Sequence, residues 1–128
     1  MIRALLVAMT LLACTPTERI TPADARAAAL RMDVALDRAV DEHRQGHPEL
    51  ARQAWRDAHQ AWDQGLSAGL ATTVDEQSLL RLELHLGRIR AALDDPKGDP
   101  AERVLTFEQA LAKPLSRLPG GQTPPLAP

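Results

Sequence analysis

Four stretches of this chain space their apolar residues three and four apart, and each is bounded by residues that start or stop a helix. Such spacing gives a helix one dry face, and no stretch shows the alternation that a strand needs. The first opens at Thr21-Pro22-Ala23-Asp24. Thr21 can cap, Pro22 fits a first turn, and Asp24 suits the positive helix end. It runs to about Gln45, where Gly46 can stop it. Ala25, Ala29, Met32, Leu36, Ala39, Val40 and His43 share one face, with Leu30 and Val34 on a narrower second one. Pro48 opens the second stretch, to about Leu70, with a wide apolar arc of Leu50, Ala54, Trp55, Ala58, Ala61, Trp62 and Leu66. His59 lies at the edge of that arc, and Gly65 and Gly69 weaken the last turns. The third begins at Thr73-Val74-Asp75-Glu76, which reads as a capping box. It carries Leu79, Leu82, Leu86, Ile89 and Leu93 on one face and Leu80, Leu84 and Ala91 on a second. After the turn Asp94–Gly98, Asp99-Pro100-Ala101-Glu102 reads as another box, followed by Val104, Phe107, Leu111 and Leu115. Pro114 should kink or end that helix.

The spacing predicts helices over 22–45, 48–70, 74–93 and 100–113, and the fold as an all-α, antiparallel up-down four-helix bundle over residues 22–118. A three-helix core with a loosely docked fourth helix is the alternative. Composition agrees: Tyr is absent, Phe occurs once, and Ala and Leu dominate, which favours helix over sheet. Residues 119–128 (PGGQTPPLAP) hold four Pro and two Gly and read as a disordered tail.

Ahead of the helices, Met1-Ile2-Arg3 gives a positive start and Ala4 to Leu12 a nine-residue, mostly apolar run. As a helix that run reaches roughly 14 Å, too short to span a bilayer. A charged start, a short apolar stretch and a small residue are the marks of a secretory signal. Leu11-Leu12-Ala13-Cys14 resembles the lipobox of bacterial lipoprotein precursors. The resemblance implies a signal peptide over 1–13, a diacylglycerol thioether on Cys14 and a tether over 14–21. In that class an Asp after the cysteine marks inner-membrane retention in enterobacterial members. Thr15 stands there instead, which implies an outer-membrane lipoprotein facing the periplasm. Cys14 is the chain's one cysteine, so it cannot form an internal disulfide.

Without Arg3, 14 basic side chains stand against 17 acidic ones, interspersed along the sequence. No basic stripe argues for nucleic acid, and no Lys/Arg run for anionic lipid. Glu-x-x-His, the signature of di-iron bundles, does not occur, nor does the Cys-x-x-Cys-His of covalent haem. No nucleophile–base pair, phosphate loop or paired carboxylates on an apolar face suggest catalysis. Counting residues from Gly46 puts His59 and His85 at the same depth, roughly 16 Å, on neighbouring antiparallel helices. Two imidazoles in one layer suit zinc, copper, nickel or haem iron, but further ligands are not evident. Met32 with a histidine is the one noncovalent haem option, and His43 with His47 a weak surface pair. The plainer reading is that these histidines border the core, and no cofactor is assigned.

Trp55-x3-His59-x2-Trp62 has two readings: both indoles fill space between alanine-rich helices, or they are part-exposed anchors for a partner. The Leu80, Leu84 and Ala91 stripe poses the same question. The leading expectation is a non-enzymatic module, anchored through Cys14, that binds an envelope protein through Trp55, Trp62, Leu80 and Leu84. A metal- or haem-binding bundle is the main alternative, with His59 and His85 as ligands. A small hydrolase or inhibitor has no motif in support.

Overall fold

The computed structural model describes residues 19–120. Cys14, the leader expected over 1–13, most of the expected tether and residues 121–128 lie outside them. Four helices succeed one another: α1 Pro22–Arg44, α2 over 48–70, α3 Glu76–Asp94 and α4 Pro100–Ser116. No strand occurs among the described residues, and none of the helices is long and apolar enough to cross a membrane.

Local chemistry sets the boundaries. Thr21 Oγ1 accepts from the Asp24 N–H at 3.1 Å, and Asp24 Oδ2 accepts from the Thr21 N–H at 3.2 Å, a closed capping box. Ile20, just before it, packs against the core, so the end of the 14–21 tether belongs to the folded domain. Gly46 turns the chain after α1 at φ +77°, where a Cβ would be strained. The box expected at Thr73 is not used. Asp75 caps α3 instead, accepting from the Ser78 N–H at 3.3 Å, while the Thr73 hydroxyl donates back to the Leu70 carbonyl. Asp99 caps α4 through the Glu102 N–H. α4 runs past Pro114 to Ser116, three residues further than expected. Its end is closed by Arg117 and Leu118 N–H groups on the Pro114 and Leu115 carbonyls, and Leu118 folds into the core.

The helices pack antiparallel around one core. Gly69 and Gly65 near the end of α2 meet Ala25 and Ala28 near the start of α1. Arg52, Trp55 and Trp62 on α2 reach Asp94, Leu86 and Glu83 on α3 in turn. The chain beyond α4 returns to α1, where Arg26 Nη2 donates to the carbonyls of Leu118 at 2.9 Å and Pro119 at 2.6 Å. α4 supplies Val104, Phe107 and Leu111 to the core, so it is a full wall of the bundle and the three-helix alternative does not hold.

α2 is not uniform. It is α-helical over Pro48–Ala61, winds as a π-helix over Trp62–Leu66 and ends in one α-helical turn, Ser67–Leu70. A π segment turns less per residue, so it shifts the direction in which the last turn faces. Gly65 and Gly69 are both buried against α1, and a Cβ on Gly69 would lie 2.5 Å from the Ala25 Cβ. These glycines do not merely weaken the helix; they let it lie close to its neighbour. Leu50, expected in the apolar arc, is 54% exposed, because Ala51 one position on continues the buried row of Ala54, Trp55, Ala58 and Trp62. Trp62, Phe107, Met32 and Leu36 fill the centre, and no polar or charged residue is buried among the described ones.

Candidate functional site

Neither tryptophan is a surface anchor. Trp62 is fully buried, edge-on to Phe107 with centroids 6.5 Å apart, and its Nε1 donates to Glu83 Oε1 at 3.2 Å. Trp55 is 8% exposed and donates to the Leu86 carbonyl at 2.9 Å. The Arg90 guanidinium sits 5.3 Å from its ring centroid. The physical reason is volume. α1 and α2 bury Ala25, Ala28, Ala39, Ala51, Ala54 and Ala58, and the two indoles fill what such small side chains leave, with acceptors on α3 for both N–H groups.

Leu80 and Leu84 are different: they stand on the outer face of α3 at 56% and 54% exposure. Gly87 and Ala91, both exposed, continue the same line at spacings of three and four. A Cβ on Gly87 would meet nothing within 4 Å. The opposite face of α3 gives Leu82, Leu86, Ile89 and Leu93 to the core.

The four histidines do not converge. His59 stacks on Trp55 with centroids 4.9 Å apart, and its Nδ1 lies 3.2 Å from Asp63 Oδ2. His85 instead lines the groove between α3 and α4. Depth counting gives height along a bundle but not direction around it. The side of α3 that faces α2 is taken by Glu83, Leu86 and Arg90, the neighbours of the indoles. His43 Nε2 bonds the Asp95 carbonyl, and His47 Nδ1 bonds Glu42 Oε2. Met32 is packed in the core at 1% exposure. The residues proposed for a haem or a histidine-held metal are thus spread over separate surroundings.

Charge, in contrast, is gathered by the fold. Asp33 and Asp37 on α1 and Glu108 on α4 bring one carboxylate oxygen each within 4.8 Å of the others. Among the described residues this is the one grouping of three or more metal-ligand side chains; oxygen donors of this kind suit hard cations rather than zinc, copper or haem iron. Burial first, then a hydrogen bond shared with Asp33 and the charges of Asp33 and Asp37, pushes Glu108 up to about 7. Burial, then Asp33 and Asp41, raises Asp37 as well. On the other side of α4, Arg81, His85, Lys113 and Arg117 line a groove against α3. Burial first, then the charges of Arg88 and Arg103, lowers the His85 imidazole.

No protein-family model, curated protein or solved structure matches this chain. Its candidate site therefore rests on its own surface. Leu80 and Leu84 stand out from the sequence alone, but both charged seams escape it. Asp33, Asp37 and Asp41 do form an i, i+4 row that is legible on α1, and Arg81 and Arg88 share a face seven apart on α3. Their partners on α4 lie far along the chain, so only helix pairing reveals the groupings.

Proposed function

We propose that this protein is a non-enzymatic binding module of the bacterial envelope that docks a helix of another envelope protein on the outer face of α3. The observation that carries this reading is the line Leu80, Leu84, Gly87, Ala91, exposed on a helix whose other face is fully used by the core. Burying a leucine side chain stabilises by about 1.5–3 kcal/mol, and here that gain is left for an interface. Two leucines at one end and two small residues at the other give a partner helix knobs to seat and room to approach. The lipobox-like Leu11-Leu12-Ala13-Cys14 supports the location. A lipid on Cys14 holds the domain close to its membrane, since Ile20 already packs on the core and five extended residues from Thr15 to Arg19 reach at most roughly 18 Å.

The test is photo-crosslinking from position 84 in a lipoprotein-competent bacterium. A discrete adduct is expected that Leu80→Asp abolishes, while the same variant melts within about 1 kcal/mol of the parent. Cys14→Ser should remove the lipid from the mass of the protein. If Leu80→Asp unfolds the domain, or position 84 yields no adduct, α3 is not a docking face.

A further inference from the structure

The two walls of the α3–α4 groove carry a cluster of positive charge, of which Arg81 also acts on the Asp75 carboxylate at the α3 cap. Arg81 and Arg88 stand on α3 and Arg103, Lys113 and Arg117 on α4, all exposed. Among the described residues none of the five lies within 4 Å of a carboxylate, although Arg44 and Arg52 do. The groove encloses about 330 Å³, and its lining includes no acidic residue. Val74, Leu82, Ala110 and Pro114 make it partly apolar. Arg81, Lys113 and Arg117 line the groove together with His85, and the charges of Arg88 and Arg103 act on that same His85. Arg81 and Arg88 are seven residues apart, about 10 Å along the helix. Cations thus stand in two banks, Arg81 on the α3 wall and Lys113 and Arg117 on the α4 wall.

We propose that this groove binds an acidic polypeptide segment, its carboxylates in file between the two banks and its aliphatic side chains on the apolar lining. The proposal rests on the protein-binding reading for the class of occupant and gives that occupant its chemistry. Arg81 and Arg88 adjoin Leu80, Leu84 and Gly87, so a segment on the α3 face would turn its acidic edge into the groove. Other polyanions fit less well. Single-stranded nucleic acid needs aromatic faces for its bases, and Trp55, Trp62 and Phe107 are all buried. A flat layer of lipid headgroups would meet the exposed cations at the rims and leave the apolar lining, Val74, Leu82, Ala110 and Pro114, uncovered.

Fluorescence anisotropy of the purified full chain with poly-L-glutamate, oligothymidylate and phosphatidylglycerol vesicles tests this at low salt. Poly-L-glutamate should bind, and Arg81→Glu/Lys113→Glu should weaken it at least about tenfold. Arg38→Glu/Arg56→Glu, the same charge change on the surfaces of α1 and α2, should leave it within about twofold, since screening confines the effect to the groove. Leu80→Ser should keep poly-L-glutamate binding while losing the adduct crosslinked from position 84, so the two readings fail separately. Absence of binding, equal loss in both charge variants, or tighter binding of the oligonucleotide or the vesicles that Arg81→Glu/Lys113→Glu weakens, would overturn the proposal.

Discussion

Glu108 carries its proton into the neutral range because it is half-buried and shares a seam with two other carboxylates. Its pKa in the folded chain, about 7, lies above the ordinary 4.5, so protonated Glu108 is the form that the fold favours. The stability it contributes is complete below about 4.5 and is lost as pH rises through 7. Glu108→Gln keeps a hydrogen-bonding side chain without the charge. Urea unfolding should show the variant more stable than the parent by about 1–2 kcal/mol above pH 7, after discount for solvent screening, and no different near pH 4.5. An equal difference at both pH values would mean that the effect is packing, not charge. At this scale the sequence is most legible where a residue acts on near neighbours, as at Thr21 with Asp24 or Asp99 with Glu102. It is least legible where helices bring distant groups together. Trp55 and Trp62 are ambiguous in the sequence for that reason: an indole on a helical arc looks the same whether or not a third helix supplies Leu86 and Glu83 to its N–H.

At the scale of elements, helix periods and caps place all four segments, because Pro22, Pro48 and Pro100 sit in first turns and Gly46 comes just after α1. The π winding over Trp62–Leu66 is not legible, since it depends on how closely α2 must lie against α1. The glycines divide accordingly. Gly69→Ala adds a methyl 2.5 Å from the Ala25 Cβ, so two backbones must part. It should cost about 1–3 kcal/mol even though alanine is the better helix former by about 1 kcal/mol. Gly87→Ala meets open space and should gain about 0.5–1 kcal/mol. Denaturant midpoints of the two variants should therefore move in opposite directions. If Gly69→Ala is also stabilising, the α1–α2 contact is looser than described. Gly87→Ala has a second use: it should strengthen the fold while weakening the crosslink from position 84, because the added methyl takes room from the partner.

Across the whole molecule, folding sorts charges that are mixed along the sequence, setting acidic Asp33, Asp37 and Glu108 on one side of α4 and basic Arg81, Lys113 and Arg117 on the other. Composition and run length reveal neither, as both discard the third dimension. The same pairing has a consequence at the ends of the chain. Arg26, one turn into α1, grips the carbonyls of Leu118 and Pro119, and Ile20 packs on the core nearby. Position 120 therefore lies close to position 19, and the turns at Gly46 and Gly98 lie at the far pole. A domain wired in this way tolerates a change in the order of its helices. A circular permutant that joins residue 120 to residue 19 through a short Gly/Ser linker, and opens at Gly46, should keep its helical circular dichroism and cooperative unfolding. Its new ends would emerge at the opposite pole, where a tether would hold the bundle upside down. If the α3 face must meet its partner at a set height above the membrane, a lipid anchor moved to that pole should leave the fold intact and abolish the crosslink.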